Sequence, residues 1–189
     1  MSEKFYLVDE EKLKQLGVYY EEIAQTNQEY FTYWLENTFL HWDFWLSLSF
    51  SVIPWVLFIL FRKKESTHRL LYVGLFAIII ASYLDFLGVV MGLWYYVGNV
   101  LPTIPPYVPW DFSIIPVFIM FLIQFQPEIK AYWKGLFFAG TATFIGEPFF
   151  RWLGFYVVED WSKLYSFPIY FLFFLLCHKL SKVGKFEHI

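Results

Sequence analysis

LLYVGLFAIIIASYLDFLGVVMGLWYY, running from Leu70 to Tyr96, decides the fold, because its twenty-seven residues hold a single charged side chain, Asp85. A helix rising about 1.5 Å per residue needs about 20 apolar residues to cross roughly 30 Å of hydrocarbon, so this stretch is long enough for a membrane span. Four more apolar segments flank it: Phe44 to Phe61, Phe112 to Phe125, Gly135 to Phe155 and Leu164 to Leu180. The expected fold class is all-α, a polytopic membrane helix bundle. Five transmembrane helices occupy 44–183, after an acidic region over 1–43 and before a short tail over 184–189.

Composition supports this class. Of 189 residues, 58% are hydrophobic, 25% aromatic and 16% charged, whereas a soluble domain is about 45–50% apolar and about 25% charged. A net charge of -3 without a basic stripe excludes nucleic acid as a partner, since that binding depends on neutralised phosphates. The one cysteine, Cys177, permits no internal disulfide and reads as a reduced structural thiol. Glycine-rich phosphate loops, nucleophile elbows and paired-cysteine motifs are absent from the sequence, so neither cofactor nor metal is expected and an enzyme is not the favoured class. His41 and Asp43 alone fall short of a metal site.

The first 43 residues carry nine acids, among them Glu3, Glu21, Glu22, Glu29, Glu36 and Asp43, against only Lys4, Lys12 and Lys14. They contain no basic start followed by an apolar core and a small-residue cleavage site, so no removable signal peptide is read. Phe31, Trp34, Leu35, Thr38, Trp42 and Trp45 recur at helical spacing, which predicts an N-terminal amphipathic interfacial helix leading into the membrane. The same acidic region is the candidate surface for an assembly or sensor role.

Lys and Arg placement gives the orientation, since cytoplasmic loops retain cations. Arg62, Lys63, Lys64, Arg69, Lys130, Lys134, Lys179, Lys182 and Lys185 lie on one side, nine in all, against five on the other. The N-terminus is therefore expected outside and the C-terminus in the cytoplasm of a plasma-membrane protein. Trp94, Tyr95, Tyr96, Tyr107, Trp110, Tyr156 and Trp161 then read as an outer aromatic belt.

Two stretches share an order of landmarks. Gly74, Asp85, Trp94, Trp110 and Pro116 in one are followed by Gly135, Glu147, Trp152, Trp161 and Pro168 in the other, with the acid 11 and 12 residues after the glycine. Any repeat is parallel, with its axis along the membrane normal.

An ionisable residue within a span costs about 2.5–3.5 kcal/mol on insertion scales, so Asp85 and Glu147 need a partner or a purpose. Asp85 has only Ala81, Ser82, Gly88 and Val89 at helical spacing, whereas Glu147 has Arg151 four residues on. Pro148, Pro116 and Pro168 free backbone carbonyls, and Ser82, Ser113, Tyr165 and Ser166 supply hydroxyls at similar depth. The candidate site is an outward-facing pocket in which Asp85 and Glu147 bind a small hydrophobic ligand or protons, with Arg151 as countercharge and Ser82, Tyr165 and Ser166 beside them. The competing reading makes the same groups helix fasteners. A transporter of five spans would need a homodimer. Asp111, after Trp110, reads as a helix N-cap, and Gln124 as an interhelical hydrogen-bonder.

The motifs Asp85-Phe-Leu-Gly88, Gly92-Leu-Trp94-Tyr95, Pro105-Pro106, Pro109-Trp110-Asp111, Gly146-Glu147-Pro148, Trp152-Leu-Gly154 and Tyr165-Ser-Phe-Pro-Ile-Tyr170 together resemble an uncharacterised family of small multi-pass membrane proteins of spore-forming Firmicutes. The resemblance covers about residues 44–180 and implies a bacterial plasma-membrane protein without implying an activity. A fainter similarity runs to the membrane lycopene cyclase domain, where a comparable Asp, Gly and Trp precede a proline and an acidic pair; here the single acid Asp111 follows Pro109-Trp110. It implies a membrane-embedded enzyme acting by acid catalysis on an isoprenoid or lipid.

Overall fold

The computed structural model describes residues 7–102 and 106–184, and the chain is mostly helical. Glu3 and Lys4 of the acidic region, Pro105, and Lys185 and His188 of the tail lie outside the described residues. The helices are α1 (Glu10–Asn37), α2 (Trp42–Phe61), α3 (Thr67–Val90), α4 (Ile115–Gln124), α5 (Ala131–Thr141), α6 (Glu147–Trp152) and α7 (Lys163–Leu180). α2 and the helical stretch Lys64–Val90 are each long and apolar enough to cross a membrane.

Proline explains the local winding of the rest. π-helical segments Pro109–Ile114 and Ala142–Gly146 lead into α4 and α6, and each is followed two residues later by Pro116 or Pro148. Proline has no N–H to offer the carbonyl four residues back, and the wider turn absorbs the mismatch. At Pro116 the released Phe112 carbonyl accepts the Trp55 indole N–H at 2.9 Å.

The second apolar segment is not helical to Tyr96. Gly92, at φ 71°, ends α3, and Trp94–Tyr96 forms strand β1, which pairs antiparallel with β2 (Tyr156–Val158). Likewise the fourth segment starts at Ala131 and its helix stops at Trp152, with Gly154 at φ 77°. The all-α expectation thus gains a two-stranded ribbon, built where glycine allows a left-handed residue and aromatic, β-branched residues favour extension.

That ribbon is symmetric under a shift of 62 residues. Tyr95 pairs with its own equivalent, Val157, while the pairs Trp94–Val158 and Tyr96–Tyr156 exchange. Val97 N–H donates to the Phe155 carbonyl and Glu159 N–H to the Leu93 carbonyl, both at 3.0 Å. The preceding turns match as well: Leu93 to Gly88 and Phe155 to Phe150, both at 2.9 Å. A pseudo-twofold axis therefore passes between Tyr95 and Val157, but the shift matches the landmark order only in part: it sets Trp94 against Tyr156 rather than Trp152, and Trp161 and Pro168 follow Trp110 and Pro116 by 51 and 52 residues. Asp85 and Glu147 are equivalent positions across it.

The core lies between the halves. Val73, Ala77 and Ala81 of α3 meet Ile115 and Ile119 of α4, Phe138 of α5, and Phe173, Phe174 and Cys177 of α7. Cys177 is a free, buried thiol. At the end opposite the ribbon, Gln124 makes the expected interhelical bonds, accepting from Lys63 N–H at 3.0 Å and donating to the Phe61 carbonyl at 3.1 Å. Lys134 is buried there and donates to the Leu122 and Phe125 carbonyls at 2.7 Å each, closing the C-terminus of α4.

The aromatic stripe expected over 31–45 is divided. Leu40, at φ 61°, breaks the chain between α1 and α2, so Phe31 and Trp34 belong to one helix and Trp42 and Trp45 to the next. Trp34 is buried and packs on Phe39 and Phe44.

Candidate functional site

Between the C-terminal turns of α3, the start of α6 and the helix α7 lies a cavity of about 290 Å³. Its polar lining includes three carboxyl groups, those of Asp85, Asp111 and Glu147, with Ser166 and the tips of Trp94, Tyr96, Trp110, Tyr156, Trp161 and Tyr170. Among the described residues that line it there is no Lys, Arg or His.

Asp85 sits at the centre of a set of donors. Its Oδ1 accepts from the Trp94 indole N–H at 2.8 Å and the Tyr96 hydroxyl at 2.6 Å, and its Oδ2 accepts from the Tyr107 backbone N–H at 3.2 Å. The same N–H reaches Asp111 Oδ2 at 3.0 Å, so one backbone donor is shared between the two carboxyl groups.

Asp111 is therefore not the N-cap expected of it. Val108 occupies that position without a side-chain cap, while Asp111 is 3% exposed within the π-helical turn. Its partner acid comes from α3, 26 residues earlier in the chain, so the acidic pair absent from the local sequence is assembled in space.

Glu147 is held differently. It lines the same cavity as Ser166 and Tyr170 of α7. The Ser166 hydroxyl accepts from the Trp161 indole at 3.0 Å, and the Tyr170 hydroxyl from the Trp110 indole at 3.1 Å. An indole N–H can only donate, so each hydroxyl keeps its own hydrogen to give.

Two glycines give the indoles room. A Cβ on Gly88 would fall 1.9 Å from the Trp94 ring, and one on Gly146 would fall 2.4 Å from the Trp110 ring. The walls are aromatic. Tyr96 stacks on Tyr107 at 4.6 Å and on Tyr156 at 5.4 Å, and Trp94 meets Trp161 edge to face at 5.1 Å.

Of the residues proposed from sequence, Asp85, Glu147 and Ser166 come together here. Arg151 is exposed and acts on Glu147 through charge at a distance, outside the cavity. Ser82 is also outside it, with a buried hydroxyl that has no hydrogen-bond partner. Tyr165 points away, 59% exposed and packed against Trp161, and Ser113 donates instead to the Ser51 carbonyl at 2.8 Å. Tyr165 is next to Ser166 in α7, and a helix turns about 100° per residue, so the two side chains leave it in different directions. Trp94, Tyr96, Trp110, Tyr156 and Trp161, read as an interfacial belt, line the cavity instead.

His41 is exposed and Asp43 is buried in the first turn of α2, and neither lines the cavity. Among the described residues no group of three or more His, Cys, Asp or Glu side chains is placed to hold a metal ion. Comparison of the chain with family models, curated proteins and solved structures found no match in any of the three.

Proposed function

We propose that this is an integral plasma-membrane protein whose cavity binds a small, largely apolar ligand that carries a hydrogen-bond donor or a positive charge. The five spans would be α2, α3, the helix Pro109–Gln124, the helical stretch 131–152 and α7, with the N-terminus outside. Support for the membrane comes from exposure. Only 17% of the most apolar window of α2 and 33% of that of α3 are buried. Apolar surface left facing outward on this scale is stable in lipid and unfavourable in water by about 25 cal/mol per Å². The resemblance of the landmark motifs to small multi-pass membrane proteins favours the same placement.

The observation that carries the ligand class is the cavity lining: three carboxyl groups and aromatic faces without an opposing cation. Acceptors favour a donor, and aromatic faces favour positive charge. One further reading, acid catalysis on a hydrophobic substrate, is favoured by Asp85 and Asp111, two carboxyl groups that share the Tyr107 N–H and line a largely apolar chamber.

The test is to purify the protein from its native membrane and identify by mass spectrometry what accompanies it. A bound small molecule should be lost in Glu147→Gln and in Ile169→Trp, which fills the cavity from its rim. No bound species, or one retained by both folded variants, would refute the proposal. Conversion of the recovered compound by the wild type, abolished in Asp111→Asn, would establish the catalytic reading.

A further inference from the structure

Helix α1 is exposed from Glu10 to Tyr30. Along it Leu13, Leu16, Tyr20, Ile23, Asn27, Tyr30 and Trp34 recur at alternating steps of three and four, the spacing of a coiled-coil seam. Leu13, Leu16, Tyr20 and Ile23 are 36%, 43%, 71% and 55% exposed, so this part of the seam has no partner within the chain. At its other end the seam is used. Trp34 donates its indole N–H to the Asn99 carbonyl at 2.6 Å, and the Tyr30 hydroxyl accepts from the Asn99 side-chain amide at 3.0 Å.

The charges identify what covers the rest. Lys14, Glu21, Glu22, Glu29 and Glu36 fall at the two positions that follow each first seam residue, on the far face of the helix. The positions flanking the seam are Lys12, Gly17, Tyr19, Ala24, Thr26, Phe31 and Tyr33, none of them acidic. Two copies can therefore close seam to seam without acid meeting acid. Asn27 occupies a first seam position, where asparagine paired with asparagine fixes register and favours two strands. A lipid surface suits this helix less well, because anionic headgroups attract a Lys- and Arg-rich polar face and this face is acidic.

We infer that α1 pairs in parallel with α1 of a second copy of this chain through Leu13 to Asn27. The parallel sense rests on the membrane placement proposed above, which orients every copy alike. Confinement to one membrane also raises the effective concentration of a seam too short to pair well when dilute.

Single cysteines placed in the full-length protein in membranes, in a Cys177→Ala background, test the pairing under mild oxidation. Leu16→Cys, Ile23→Cys and Asn27→Cys are expected to give covalent dimers, and Gln25→Cys on the far face only monomer. The double variant Leu16→Glu with Ile23→Glu should abolish the dimer in native mass measurements while the protein stays in the carbonate-washed membrane fraction, so that loss of pairing is not confused with loss of insertion. Monomer throughout, equal cross-linking at Gln25→Cys, or burial of a fluorophore at Ile23→Cys in lipid without dimer formation would overturn the inference.

Discussion

Replacing Gly88 by alanine puts a methyl group where the Trp94 indole lies. The added Cβ would be 1.9 Å from the nearest ring carbon and 2.5 Å from the ring atom that joins the indole nitrogen, so the whole ring must move. Repacking around such an overfilled contact costs about 1–3 kcal/mol. Moving the ring also breaks the 2.8 Å bond to Asp85, at about 1–3 kcal/mol for a buried group left short of a partner. The better helix propensity of alanine offsets about 1 kcal/mol. The net expectation is a loss of about 1–5 kcal/mol. Gly140 is the internal control. It lies within α5, and a methyl group added there would meet nothing within 4 Å, so Gly140→Ala should stabilise by about 0.5–1 kcal/mol. Unfolding in bicelles, followed by circular dichroism and tryptophan fluorescence, compares the two. If Gly88→Ala is as stable as Gly140→Ala, the indole does not occupy the place described and the donor set of Asp85 is wrong.

Other substitutions probe the same arrangement. Asp85→Leu strands the Trp94 N–H and the Tyr96 hydroxyl, since Tyr107 N–H keeps Asp111, and should cost about 2–6 kcal/mol; Asp85→Asn retains one acceptor oxygen and should cost less, an order that thermal denaturation can reverse. Gln124→Ala leaves Lys63 N–H and the Phe61 carbonyl without their partner and should destabilise by about 1–3 kcal/mol, seen as faster proteolysis in the loop over 62–66. For orientation, an impermeant maleimide on intact cells should label Leu101→Cys and leave Glu65→Cys unlabelled; the opposite pattern would invert the topology.

Helix α2 and the stretch Lys64–Val90 were legible because a helix long enough to cross a membrane needs one thing, an uninterrupted apolar run, and the sequence from Leu70 to Tyr96 announces it. Asp85 and Glu147 were legible for the converse reason, as charges where charge is costly. Asp111 was not. Its neighbours Pro109 and Trp110 mark a helix start, and only the packing of α3 against the π-helical turn brings a second carboxyl group to it. The ribbon escaped because three-residue strands carry no periodicity, and tryptophan and tyrosine at the end of a span suit an interface equally well. Gly88 and Gly146 were the one available hint, since a glycine in an apolar helix often marks the close approach of something large.

The symmetric ribbon defines the smallest unit that could have folded. A chain of one half would present a lone strand with its backbone donors and acceptors unpaired and a single acid facing apolar surface. A second copy, rotated about the same axis, would close the ladder at Tyr95 or its equivalent and bring the acids together. Within this one chain the two halves differ where it matters chemically: the positions equivalent to Trp94 and Tyr96 are Tyr156 and Val158. Asp85 has donors on strand β1 and Glu147 faces α7, so two positions that the ribbon's symmetry relates are chemically distinguishable.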